Sequence, residues 1–209
     1  MTIGPLFKLW CVSLAATLIG VAVCIRWLDI PIALAFITSA DRFAGLGRGL
    51  SSVVLVSGEI VLIVVLAITR MIRGTLPEFA KALFVASCAS LSAFVANDYV
   101  LKFIFGRQNP SVFLQGPPTH IFHFFQGDQN SSFPSGHMVM ATAFAVAMIR
   151  LQPRTLPVLI ILLCIGAIGL LIGDWHFVGD VIAGTFVGAT AGFMAGELWN
   201  EHIQDHADT

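Results

Sequence analysis

Apolar residues run along this chain in long unbroken stretches, and polar residues gather between them. Each stretch is close to the roughly 20 residues that a bilayer-spanning helix needs. The pattern predicts six helices: Leu6–Leu28, Leu50–Thr69 (interrupted only by Glu59), Phe79–Val100, Ser135–Ile149, Pro157–Gly173 and Phe177–Trp199. Lys8 precedes the first run as in a signal peptide, but no convincing small-x-small cleavage site follows, so the run reads as a retained helix. The expected fold is an all-α, integral membrane six-helix bundle forming a single domain over residues 1–209.

Two connections stand out. Residues 29–49 contain a short apolar piece, Pro31–Thr38, which reads as an interfacial or re-entrant segment, followed by Ala44-Gly45-Leu46-Gly47-Arg48-Gly49. Those alternating glycines read as a flexible turn and are a weak signal for anion binding. The second connection, Phe103–Pro134, is long and rich in proline and polar residues, as functional loops on helical scaffolds often are. The last helix carries Gly184, Gly188, Gly192 and Gly196 at strict four-residue spacing. One helix face is thereby free of side chains, for close packing inside the bundle or for a homodimer interface.

Composition changes the picture by exclusion. The chain has 209 residues, 57% hydrophobic and 11% charged. A soluble domain carries about 25% charged residues, and a globule this short of charge would not cover its surface. Intrinsic disorder is excluded by the same apolar excess. Eleven Lys+Arg against 12 Asp+Glu give net charge −1 and no basic stripe, which excludes a nucleic-acid partner. Cys11, Cys24, Cys88 and Cys164 lie in apolar runs without metal-ligand spacing. With the N-terminus cytoplasmic, Lys8, Arg70, Arg73, Lys81, Arg150 and Arg154 fall inside, and Arg26, Arg42, Arg48, Lys102 and Arg107 outside. The positive-inside rule favours this orientation narrowly, and the margin widens if Lys102 and Arg107 are kept for chemistry. Residues 103–134 then face away from the cytoplasm.

Three polar clusters fall at that same face: Lys102 to Pro110, Ser132 to His137, and Gly173 to Asp180. His176 and Asp180 are four apart, so on a helix the carboxylate accepts a hydrogen bond from one imidazole nitrogen and leaves the other as a nucleophile. Pro134-Ser135-Gly136-His137 reads as a helix N-terminus. Backbone N–H groups near Ser135 and Gly136 favour an anion there, and His137 is placed to protonate a leaving oxygen. Lys102 and Arg107 supply charge for phosphate oxygens. Together these residues suit phosphoryl transfer through a phosphohistidine, with no metal and no cofactor. Lys102 also has Asp98 four residues before it, which suits a plain helix-surface ion pair equally.

These clusters resemble the type 2 phosphatidic acid phosphatase superfamily. Its first motif is Lys, six residues, Arg-Pro; its second is Pro-Ser-Gly-His; its third is Ser-Arg, five residues, His, three residues, Asp. Lys102 and Pro110 match the first, Pro134 to His137 the second, and His176 and Asp180 the third. The resemblance covers roughly residues 80–195, the expected catalytic core. Two family cations are absent: Asn109 stands at the Arg of the first motif and Gly169-Leu170 at the Ser-Arg of the third. Arg107 is the expected substitute for the first; for the second, either Arg42 or Arg48 from the first outer loop compensates, or turnover is weak, or the substrate's anionic group is bound differently.

The resemblance implies an integral membrane hydrolase that removes phosphate from a lipid-linked phosphate or diphosphate at the outer face of a bacterial inner membrane. Undecaprenyl diphosphate, phosphatidylglycerol phosphate, phosphatidic acid and lipid A phosphates are the implied substrate classes. A lipid phosphotransferase using the same intermediate, or a catalytically degenerate lipid-binding member, fits the same motifs. Asn109 and Asp174 are possible accessory residues, Asp174 either ending a helix or tuning His176. His120 and His123 read as loop-packing or lid residues, and Phe122, Phe124 and Phe125 as interface anchors. Glu59 is an intramembrane carboxylate, functional or structurally paired.

Overall fold

A computed structural model describes residues 4–37, 52–116 and 121–207, with side chains to residue 201. Arg42, Arg48, the 44–49 glycine segment and His120 lie outside the described residues. Among those described the chain is helical, and seven helices come in the order α1 Pro5–Ile37, α2 Ser52–Arg73, α3 Glu78–Phe105, a short α4 Pro110–Gln115, α5 Gly136–Leu151, α6 Leu156–Ile172 and α7 Val178–Ala207.

Five of these are long and apolar enough to cross a membrane: α1, α2, α3, α6 taken together with the helical turn Pro153–Thr155 that leads into it, and α7. The expected fourth span is present as α5, but its 16 residues fall short of that length. It is the most enclosed helix, with Met138, Val139, Met140, Ala143, Ala145, Ala147 and Met148 all buried. A helix surrounded by other helices has its apolar surface covered by protein rather than lipid. By contrast α1, α2 and α6 expose large apolar side chains such as Leu9, Val53 and Ile161, as lipid-facing surfaces do.

The first helix corrects the sequence reading. Pro31 does not open a separate re-entrant piece; α1 continues through it to Ile37. A proline inside a helix forfeits one backbone bond, which membrane helices tolerate where neighbouring groups adjust. The residues just before it, Cys24–Leu28, adopt a π-helical turn. A second π turn, Asn97–Leu101, sits in α3. Each wider turn re-phases the residue that comes next, Asp29 in one case and Lys102 in the other. Such bulges recur at functional sites.

The glycine repeat is used inside the bundle. A Cβ at Gly184 would lie 2.6 Å from the Ser135 carbonyl oxygen and 3.1 Å from Met138 Cβ, and one at Gly196 would lie 2.8 Å from Arg150 Cβ. At Gly188 and Gly192 the added carbon would meet the Val139 and Ala143 carbonyls. All four glycines therefore receive α5, and this face is not open to a second copy. Of the two expected uses of this face, close packing inside the bundle is the one these contacts serve, and at its far end Arg150 pairs with Glu197.

Candidate active site

Three helix termini meet at one end of the bundle. Ser135 caps α5, its hydroxyl accepting from the Met138 N–H at 3.4 Å. Its own N–H donates to the Asp180 carbonyl at 3.1 Å and ties α5 to α7. Asn109 caps α4, with Pro110 at the first helical position, and Oδ1 accepts from the Val112 N–H at 3.0 Å. Asp180, in the first turn of α7, reaches back with Oδ2 to the Phe177 N–H at 2.9 Å. Each device satisfies a backbone donor that the helix cannot.

Between these termini lies a polar cleft of about 150 Å³. Lys102, Asn109, Gly136, His137, Trp175 and His176 are among its walls, joined by the 129–132 segment. The two histidine rings face each other edge-on with centroids 5.9 Å apart. Lys102 is buried, with Nζ 2.8 Å from Asp98 Oδ1 and 2.9 Å from the Gln129 carbonyl oxygen. An ammonium has three hydrogens; those contacts take two, and the third remains for a ligand of the cleft. The Asp98 ion pair and the cleft position thus coexist in one side chain.

His176 departs from its expected arrangement. It precedes α7 rather than lying on it. Its Nδ1 lies 3.0 Å from the Ser132 carbonyl oxygen and 3.7 Å from Asp180 Oδ2. Only the first is a hydrogen-bond distance. A carbonyl only accepts, so Nδ1 carries the hydrogen, and in the neutral ring Nε2 keeps its lone pair.

Asp180 is engaged elsewhere. Its Oδ1 lies 2.6 Å from Arg107 Nη1, and Arg107 Nη2 lies 2.6 Å from Asp29 Oδ2. All three side chains are fully buried. Asp29 Oδ1 also accepts from the Gly179 N–H at 2.9 Å, so α1 is pinned to the α7 N-terminus, where the helix dipole favours negative charge. The Arg107 guanidinium is sandwiched between rings, 4.2 Å from Phe177 and 5.1 Å from Phe122. This corrects the assignment of Arg107 as a phosphate ligand: both ends of its fork hold carboxylates and it is absent from the cleft walls. It supports the cleft indirectly, because its carbonyl accepts from the Ser132 N–H at 2.8 Å and Ser132 holds His176. Ser135 is likewise a fully buried cap rather than a wall of the cleft, and of the expected pair Gly136 alone lines it.

The sequence reading missed Asp29. Its only signal is a lone acid between two apolar pieces, where it looks like the plain end of the first run. Asp174 is a helix terminator. It adopts φ 54°, with the Asp174 N–H bonded to the Leu171 carbonyl at 3.1 Å and the Trp175 N–H to that of Leu170 at 3.2 Å. This is a Schellman motif ending α6. The Asp174 side chain is buried with neither oxygen partnered, and burial pushes its carboxyl up to about 6. His123 Nε2 lies 3.4 Å from Gln108 Nε2 in the loop. Phe122 packs inward on Phe133 with centroids 6.0 Å apart, while Phe124 and Phe125 are exposed. Among the described residues, no three His, Cys, Asp or Glu side chains cluster as a metal site would.

Comparison with known proteins gives the family. A family model described as the PAP2 superfamily matches residues 81–202, more than half of the chain, and the chain belongs to that superfamily. Phosphatase-type activity on lipid phosphates goes with that family. Neither the curated proteins nor the solved structures returned a match.

Proposed function

We propose that this member of the PAP2 superfamily hydrolyses a membrane lipid phosphate through a phosphohistidine on His176. The observation carrying the proposal is the Ser132 carbonyl 3.0 Å from His176 Nδ1, which leaves Nε2 bare beside His137 in one polar cleft. Lys102 and the N-terminus of α5 at Gly136 hold the phosphate oxygens.

His176 Nε2 attacks phosphorus. The bond from phosphorus to the lipid oxygen breaks, and that oxygen takes a proton from His137 and leaves as the lipid alcohol. Neutral His137 then removes a proton from water. The hydroxide attacks phosphorus, the P–N bond breaks, and inorganic phosphate leaves. The lipid chain remains beside the bundle throughout, and no step is routed through a metal.

The cleft faces away from the cytoplasm in this proposal. Lys102 and Arg107 are buried in ion pairs. Removing them from the count of free cations leaves the basic excess at the opposite end of the helices, which supports a cytoplasmic N-terminus.

Purified protein assayed with a panel of lipid phosphates tests the proposal. Phosphate release that falls at least about a thousandfold in His176→Ala, with an acid-labile phosphoenzyme in wild type, is the expected result. Phosphate that moves onto the hydroxyl of an added acceptor lipid, with no inorganic phosphate set free, would identify a phosphotransferase. Equal inertness of wild type and His176→Ala would overturn the enzymatic reading.

A further inference from the structure

The proposed reaction assigns Lys102 to the phosphate and leaves its neighbour Asp98 without a task. Asp98 precedes all three sequence motifs, four residues before Lys102. The two side chains are each only 9% exposed, and Asp98 Oδ1 lies 2.8 Å from Lys102 Nζ. The carboxylate is fixed in place. Fully buried Asn97 lies with Nδ2 3.4 Å from the same oxygen and donates to the Pro134 carbonyl at 3.2 Å. That ties the π turn of α3 to the segment entering α5.

Gly136 opens α5 directly against this carboxylate. A Cβ there would lie 3.2 Å from Asp98 Oδ1 and 3.1 Å from the Phe94 ring, so any larger residue would crowd both. Asp98 is absent from the walls of the polar cleft, yet it touches two residues that form them, Lys102 and Gly136. These are the two groups proposed to hold phosphate oxygens.

The distances set the electrostatic effect. A phosphate oxygen bound by the Lys102 ammonium lies about 2.8 Å from Nζ. It therefore lies within about 5.6 Å of Asp98 Oδ1, the sum of two such contacts. Coulomb energy falls as the inverse of distance, so the carboxylate offsets about half or more of the ammonium's attraction. Charges buried in this way are screened far less than exposed ones. Arg107 does not make up the difference, because Asp29 and Asp180 hold it from both sides. Such an offset suits turnover. Contacts shared equally by bound substrate and transition state lower KM without raising kcat, and the same contacts slow the departure of phosphate.

Resting on the lipid-phosphatase reading, we infer that Asp98 is a positioning and charge-balancing residue of the phosphate site: it aims one Lys102 hydrogen into the cleft and offsets the ammonium's charge, so that the phosphoryl group is oriented without being held too tightly to leave.

Asp98→Asn tests this, because it keeps an oxygen to accept from Nζ and removes the charge. Two lipids that cannot be hydrolysed serve as probes at mildly alkaline pH: hexadecyl phosphonate, with two negative charges there, and hexadecyl sulfonate, of the same shape with one. A residue that serves the fold alone would weaken both on substitution. The inference expects the reverse. Asp98→Asn should bind the phosphonate at least about tenfold more tightly than wild type does, with a smaller gain for the sulfonate. For a lipid phosphate that is turned over, KM should fall while kcat does not rise. Weaker binding of both probes by Asp98→Asn, or one equal factor for both, would overturn the inference. Wild type gives a reading that needs no variant. With its ammonium offset it should favour phosphonate over sulfonate by no more than about tenfold, and a larger preference would overturn the inference as well. Absent hydrolysis in wild type counts against the reaction alone, because both binding ratios are read without turnover.

Discussion

His176 is oriented by the backbone of Ser132: the ring nitrogen Nδ1 is 3.0 Å from that carbonyl oxygen and 3.7 Å from the nearer oxygen of Asp180. A peptide carbonyl fixes the tautomer as well as a carboxylate does, but places no full charge against the ring. The cleft therefore divides two tasks between two residues. In the proposed mechanism Ser132 aims the nucleophile, and Asp180 holds the Arg107 bridge that shapes the end of the bundle.

Asp180→Asn tests that division. The substitution keeps the side-chain shape and removes the charge facing Arg107. Breaking one partner of a buried ion pair costs about 3–5 kcal/mol, so the transition midpoint in detergent should drop sharply. Below that midpoint His176 is still held by Ser132, and kcat should fall by less than about a hundredfold. An acid that orients a catalytic imidazole directly is worth about 10⁴ in kcat. An unchanged melting temperature with a loss of that size would return Asp180 to the orienting role.

Lys102 and Arg107 should separate in the same way. Lys102 lines the cleft, so Lys102→Met should act on phosphate, lowering kcat/KM by about 10²–10³. Arg107 is closed off by Asp29 and Asp180. Arg107→Lys cannot span both carboxylates with a point charge, and it should lower stability while leaving KM of the folded fraction unchanged. Steady-state kinetics beside thermal unfolding distinguishes the two. A raised KM in a stably folded Arg107→Lys would restore it as a phosphate ligand.

Much of this could be read along the chain, because the relevant signals are local. Run length marks the helices, and Pro134 to His137 and His176 to Asp180 are each a short continuous segment of sequence. The hidden part depends on distant residues or on backbone. Asp29 and Arg107 are far apart in sequence, and that pair closes only when α1 lies beside α7. The acceptor for His176 is a main-chain carbonyl, which residue identity cannot reveal. The π turns before Asp29 and Lys102 leave no mark in the hydrophobic pattern, yet they set which way both charges face. The glycine repeat announces a tight contact without naming the partner helix.

Gly188→Ala examines that contact. Its added carbon would press on the Val139 carbonyl and on Ala143 and Thr142 of α5. Backbone cannot yield as a flexible side chain can, so the variant should lose about 1–3 kcal/mol with no change in oligomeric state. Light scattering in detergent, run beside thermal unfolding, reads both. A shift in oligomeric state at unchanged stability would move the glycine face to the protein's exterior.

Asp174 supplies a pH signature. The folded chain holds its carboxyl at about 6 by burial, with neither oxygen hydrogen-bonded. The unfolded chain holds an ordinary Asp near 3.9. The folded state thus binds this proton more tightly, and stability is highest when both forms are protonated. As pH rises through about 4 towards 6 the unfolded form ionises first, and stability falls. Above 6 the penalty is complete, on the order of 2–3 kcal/mol. Asp174→Asn cannot ionise, and asparagine tolerates the left-handed φ of 54° at this position. The variant should melt within a degree or two of wild type near pH 4 and several degrees above it near pH 8, reduced by whatever the buried amide itself leaves unbonded. The difference between the two proteins is the quantity to track, because other groups titrate in both. If that difference is the same at pH 4 and pH 8, Asp174 is already ionised or already neutral throughout, and a partner for its carboxyl must exist in the folded protein.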